Sequence, residues 1–318
     1  MIRKPILTIA ATAFAVLFTS CSGITAPADT VKPPQSTSST AESQQNSQQD
    51  DLMNKYRELK GRNASPAEII QFAKENIGNL EKEDANLVIK GLMEAQKLKF
   101  KNYEDKLLTP DFNAEINSHS LEELKNPDSL SGEKTDSLKS YLRDAFNDGF
   151  KLFEVEGMKD LELDYESLNS SFSGYLSEEL AAYIGILAEQ SKKHYLADAA
   201  LTIGYDELAD RTIKTEEFLK KFPASEYRKE MDDWHNQYTS VYLLGINNTP
   251  AFDMDTLEIK RDLLQSFETT KTKYPDSGLT GVLTEYTRLL VENGNKRSRE
   301  ILQYVGKITG HPEYGTAD

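Results

Sequence analysis

The 318-residue chain holds one cysteine, one tryptophan and four histidines, and only 37 basic residues against 52 acidic ones. Each shortage excludes something. A single thiol, Cys21, cannot form an internal disulfide or a zinc–thiolate set, so the body that follows must rely on its apolar core. The histidines, His119, His194, His235 and His311, are far apart, and no His-x-x-x-His zinc pair exists. A glycine-rich phosphate loop, a dinucleotide fingerprint and a Gly-x-Ser-x-Gly elbow are all missing from the sequence. The pattern therefore nominates no catalytic residue, no metal ligand and no cofactor. The formal net charge of −15 leaves no basic face for nucleic acid, since the densest basic patch, Lys97, Lys99 and Lys101, lies among acids.

Long apolar runs are also scarce. Pro5 to Phe18 (PILTIAATAFAVLF) is uncharged but falls short of the about 20 residues that span a bilayer. It follows Arg3 and Lys4 and precedes the small polar Thr19 and Ser20, the order of a removable export signal over residues 1–20. The stretch Phe18-Thr19-Ser20-Cys21 resembles the lipobox of bacterial lipoproteins, with Phe18 at the position usually held by Leu and Leu17 one step earlier. That resemblance implies a diacylglycerol on the Cys21 sulfur, cleavage just before it, and a chain held at the extracytoplasmic face of the cell membrane. Two acyl chains anchor stably because each buried CH₂ contributes about 0.8 kcal/mol. Residues 21–50 are rich in Ser, Thr, Gln and Pro and read as a flexible, lipid-anchored tether.

After the tether, helical signals dominate, and the predicted fold class is mainly α: stacked antiparallel helical hairpins with one small β-hairpin near 152–166. Ser65-Pro66-Ala67-Glu68 places a capping serine, a proline at the first helical position and a glutamate three residues after the cap. Helices are predicted over 65–77, 82–107, 135–153, from Ser177 through at least Ala188, and over 206–221, 225–243, 255–273, 277–293 and 296–308, with short ones starting at Thr109-Pro110 and Ser120. In Phe153–Gly157 and Leu161–Tyr165, apolar and acidic residues alternate, which is the period of a strand. The predicted division is an N-terminal helical part, 51–175, and a C-terminal helical-hairpin part, 176–312.

Two joints look alike, Phe222-Pro223-Ala224-Ser225 and Tyr274-Pro275-Asp276-Ser277. Proline stops one helix and serine can hold the free amides of the next. These joints resemble the helix-to-helix turn of tetratricopeptide-like helical-repeat lipoproteins, without that family's 34-residue period or its Trp-Leu-Gly-Tyr pattern.

Acidic pairs such as Glu178-Glu179, Asp206-Glu207, Asp232-Asp233 and Asp253-x-Asp255 are numerous, as a chain this acidic dictates. Trp234, Tyr238 and Tyr242 share one helical face, which serves either as core or as an aromatic floor for a peptide or sugar. The polar loop that follows contains Asn247 and Asn248 and is the second candidate ligand or partner surface. The sequence thus points to a surface lipoprotein acting as a helical binding or scaffold module. Its partner would be an extracytoplasmic protein, a peptide or a wall component. The alternative is an extracytoplasmic hydrolase using paired carboxylates in a helical cleft.

Overall fold

A computed structural model describes residues 38–132 and 135–311, with side chains from residue 47 onward. The export signal, Cys21 and residues 21–37 of the tether lie outside the described residues. Thirteen α-helices and six short strands occur among those described. The fold is mainly α, built from antiparallel helical hairpins, as the periodicity predicts.

The chain opens with α1 (Ser38–Gly61), α2 (Pro66–Asn76) and α3 (Lys82–Leu107). Residues 38–50 are therefore helical, which corrects the C-terminal part of the predicted tether. They carry Ala, Ser, Gln and Glu and no proline, so a helix anchored by Leu52, Met53 and Tyr56 can propagate back through them. At α2 both halves of the capping box form: the Ser65 side chain accepts from the Glu68 N–H, and the Glu68 side chain accepts from the Ser65 N–H. Gly91 lets α1 approach α3, because a Cβ there would lie 1.8 Å from the Tyr56 hydroxyl oxygen. That hydroxyl donates to the Leu87 carbonyl at 3.0 Å.

Short helices α4 (Pro110–Asn117) and α5 (Leu121–Leu124) lead to α6 (Thr135–Asn147). The helix predicted to reach residue 153 stops six residues earlier. Gly149 takes φ +83, and the chain turns into β1 (Phe150–Val155). The Asp148 side chain contributes to this stop. One oxygen accepts from the Ala67 N–H at the start of α2 (2.9 Å), and the other accepts from the Tyr103 hydroxyl (2.7 Å). β1 pairs antiparallel with β2 (Met158–Leu163) through a two-residue turn in which Glu156 and Gly157 both have positive φ. The predicted hairpin is thus present, shifted to 150–163.

Next come α7 (Tyr165–Phe172), α8 (Glu178–Lys192), and the two-residue strands β3 (Leu196–Ala197) and β4 (Ala200–Leu201). Then follow α9 (Tyr205–Lys221), α10 (Arg228–Leu244), and strands β5 (Gly245–Ile246) and β6 (Thr249–Pro250). The chain closes with α11 (Arg261–Lys273), α12 (Gly278–Glu292) and α13 (Arg299–Thr309). The helix predicted from 255 begins at Arg261 because Asp253 holds the preceding loop, accepting from the N–H groups of Asp255 (3.1 Å) and Thr256 (2.8 Å). The two aromatic-proline joints share their turn. Phe222 and Tyr274 cap their helices at nearly the same φ and ψ (−122, 62 and −129, 59). Their starts differ: Ser277 caps α12 directly, whereas Ser225 accepts from the N–H of Tyr227 ahead of α10.

Three apolar clusters form the interior. One joins α1–α3 to α7 and α8, and takes Phe218 and Met231 from α9 and α10. A second fills α9–α13, and a third sits between the end of α3, α4–α6 and the β1–β2 hairpin. Because the first cluster draws on residues either side of 175/176, that predicted division does not separate independent cores.

Candidate functional site

The aromatic face foreseen on α10 turns inward. Tyr238 and Tyr242 are 1% and 0% exposed, which leaves neither ring free for a ligand. The Tyr242 hydroxyl is shared with Ser266 (2.8 Å) and Thr270 (2.9 Å), and the Tyr238 hydroxyl donates to Gln190 (3.2 Å). Trp234 is half-buried and packs at 5.4 Å on Tyr238 and edge-on to Tyr195. Asn248 is a clasp between turns: its Nδ2 donates to the Asp198 carbonyl at 2.5 Å, and its backbone N–H to Ala199 at 2.9 Å. Asn247 is exposed at the same tip. These five residues do not gather around a common cavity.

The acidic pairs also have structural partners. Glu178 binds Lys221, and Asp232 and Asp233 meet Arg228 and Lys229 one helical turn away. Glu207 holds the buried Arg211 at 2.7 Å, and Asp206 accepts from Ser266. Among the described residues, no three His, Cys, Asp or Glu side chains are placed to hold a metal ion.

A different surface brings chemistry together. A groove of about 520 Å³ runs between α3, strand β2 and the start of α10, a size within the range of small-molecule sites. On α3, Lys90, Met93, Glu94 and Lys97 share one face by their spacing of three and four, and Phe100 continues it. Leu163 closes the β2 side, and Tyr165 enters from the first turn of α7. The floor is a ring pair: Tyr183 of α8 stacks on Tyr227, with centroids 3.8 Å apart and planes 12° from parallel. The Phe222–Tyr227 joint delivers Tyr227, Glu226 and Glu230 to this place, so the aromatic-proline turn matters here as a positioning device.

Carboxylates set the electrostatics. The Tyr183 hydroxyl donates to Glu230 at 2.8 Å. Burial first, and then the charge of Glu230, pushes that hydroxyl far above its ordinary pKa. Tyr227 moves in the same direction through burial and then Glu226. Tyr165 is pushed up to about 12 by burial, then by Glu230 and Glu162. At neutral pH all three are neutral donors in a negative field. Lys90 pairs with Glu226, and its ammonium lies 5.8 Å from the Tyr227 ring centroid. Glu94 pairs with Lys60 at 3.3 Å, and Glu162 sits 2.7 Å from the His194 ring and 3.6 Å from Lys151.

Sequence reasoning did not foresee this groove. Tyr183 reads as one more core position of α8, and Phe100, Tyr165 and Tyr227 come from three further elements. The only local signal is the aromatic-proline joint. No family model, curated protein or solved structure matches the chain.

Proposed function

We propose that the protein is an exported lipoprotein, tethered at the outer face of the cell membrane by a diacylglycerol on Cys21. Its helical body binds an extracytoplasmic protein or peptide segment. The observation that carries the binding role is the groove itself, in which the half-buried Tyr227 ring, backed by the buried Tyr183, meets an apolar wall and polar groups that lack internal ion-pair partners. No helix among the described residues is long and apolar enough to cross a membrane. Anchorage therefore rests on the lipobox-like stretch.

Photo-crosslinking in intact cells tests the binding role. A benzophenone amino acid at Phe100 or Tyr165 should give discrete adducts. The same probe at Val291, an exposed position on α12, should not. Adducts from Val291 alone, or none from the groove positions, would remove this function.

A further inference from the structure

The groove's polar groups, once internal pairs are assigned, indicate what it accepts. Glu226, Glu94 and Glu162 each face a lysine of this chain. Glu230 does not: its one partner in the groove is the Tyr183 hydroxyl, and no lysine, arginine or histidine comes within ion-pair distance among the described residues. Two hydroxyls, those of Tyr165 and Tyr227, line the groove and make no hydrogen bond to any described residue. Lys97 on the opposite wall has no acidic partner among the described residues either. The set without an internal ion-pair partner is therefore one carboxylate, bonded only to the Tyr183 hydroxyl, together with two neutral hydroxyls and one ammonium, separated by Met93, Phe100 and Leu163. A carboxylate with no cation calls for a positive ligand group. The hydroxyls and Lys97 call for carbonyl or carboxylate oxygens.

The chain supplies its own example of the first match. Lys90 lays an alkylammonium between the Tyr227 ring and Glu226, so this combination of ring and carboxylate already holds such a group. The formal net charge of −15 draws cations toward the protein generally.

Backbone geometry narrows the mode of binding. In the β1–β2 register, the outward groups of β2 belong to residues 159, 161 and 163. The Lys159 N–H donates to Asn117 (2.7 Å), the Leu161 N–H donates to Asp160 (2.7 Å), and the Leu163 carbonyl accepts from Ser191 (3.2 Å). With three of these six outward groups held within the chain, β2 offers only a broken ladder to an added strand, which favours recognition through side chains.

We propose that the groove takes a short peptide segment bearing a lysine or arginine. The cationic head rests on Glu230 beside the Tyr183–Tyr227 stack, the stem lies along Met93 and Phe100, and backbone carbonyls face Tyr165, Tyr227 and Lys97. The proposal rests on the reading of this groove as the binding surface. The apolar wall suits the methylene stem, and the carboxylate suits the head.

Calorimetry on the full-length protein in mild detergent tests it, using acetylated and amidated Ala-Ala-Xaa-Ala peptides with Xaa as Lys, Arg, norleucine or Glu. The Lys and Arg peptides should bind, with norleucine and Glu weaker by about tenfold or more. Glu230→Gln should weaken Lys and Arg binding by about tenfold and leave norleucine unchanged. Equal binding of all four peptides would overturn the proposal, as would Lys binding that ignores Glu230→Gln. Binding of chitotetraose with no peptide binding would also overturn it. If groove crosslinks persist in cells while the Lys and Arg peptides fail, the ligand class is wrong and the binding groove stands. If both fail, the groove is not the functional surface.

Discussion

Tyr183 and Glu230 lie 47 residues apart, yet the hydroxyl of one donates to the carboxylate of the other at 2.8 Å. The bond ties α8 to the first turn of α10 and fixes the Tyr183 ring against Tyr227. Tyr183→Phe keeps the ring and removes the bond. It should cost about 1 kcal/mol of stability in chemical denaturation, while Tyr183→Ala should cost about 3 kcal/mol or more through the lost packing.

The tyrosines give the fold an alkaline limit. Tyr183, Tyr227, Tyr238 and Tyr286 are all held above the ordinary value, with burial the first cause in each. Tyr165 and Tyr242 are pushed up to about 12. The folded state keeps protons that the unfolded state releases near pH 10, so stability falls as pH rises beyond that point. Absorbance at 295 nm and far-UV circular dichroism, followed together, should show these rings ionising as the helices unfold between about pH 10 and 12. Full ionisation with the helical signal intact would show that the rings are not buried.

His235 sets a limit on the acid side. Its Nδ1 lies 3.3 Å from the Thr212 carbonyl oxygen and 3.2 Å from the Thr215 hydroxyl, and burial lowers its pKa. The unfolded chain takes up this proton more readily, so the stability His235 contributes is present above about pH 6.5 and lost as pH falls below it. His235→Gln should flatten the dependence of the denaturation midpoint on pH between 7 and 5. An unchanged slope would mean that His235 is not the group responsible.

The paired turns near residues 198 and 248 contain a correctable strain. Asp198 and Ala199 have φ of 48 and 49, a conformation in which a β-carbon costs about 1–2 kcal/mol. Ala199→Gly should therefore stabilise the protein by about 0.5–1 kcal/mol. Asn248→Ala, which opens the clasp on Asp198, should destabilise it by about 1 kcal/mol.

Asp148 offers a harsher test of the α6-to-β1 corner. It is 4% exposed, with one oxygen at the start of α2 and the other on Tyr103. Asp148→Ala leaves a part-buried N–H and a buried hydroxyl unpaired and should cost about 2–4 kcal/mol, seen as a lower denaturation midpoint.

Much of the fold is legible in local patterns. Ser65 and Glu68 announce α2 by their spacing, α3 occupies its whole predicted length although Leu87 and Leu98, which its apolar pattern places in the core, are exposed, and Gly157 between alternating runs marks the hairpin. What escapes is decided by contacts distant in sequence. Periodicity carries α6 on to Phe153, but Gly149 and the bonds of Asp148 to α2 and α3 end it. Composition reads residues 38–50 as tether, but helix propagation from the packed Leu52–Tyr56 segment extends through them. Sequence also groups Trp234, Tyr238 and Tyr242 correctly on one face, and the structure turns that face to the core. The groove was illegible for the same reason in reverse. Tyr183, Tyr227, Phe100 and Tyr165 meet only after α3, α7, α8 and α10 have packed.

The proposed position of this groove outside the cell depends on one sulfur, that of Cys21. Mass spectrometry of the amino-terminal peptide from the protein purified out of its natural membrane tests it most directly. The expected species is a chain beginning at Cys21 with a diacylglycerol in thioether linkage. A peptide that carries Cys21 as an unmodified thiol, or that still retains residues 1–20, would contradict it.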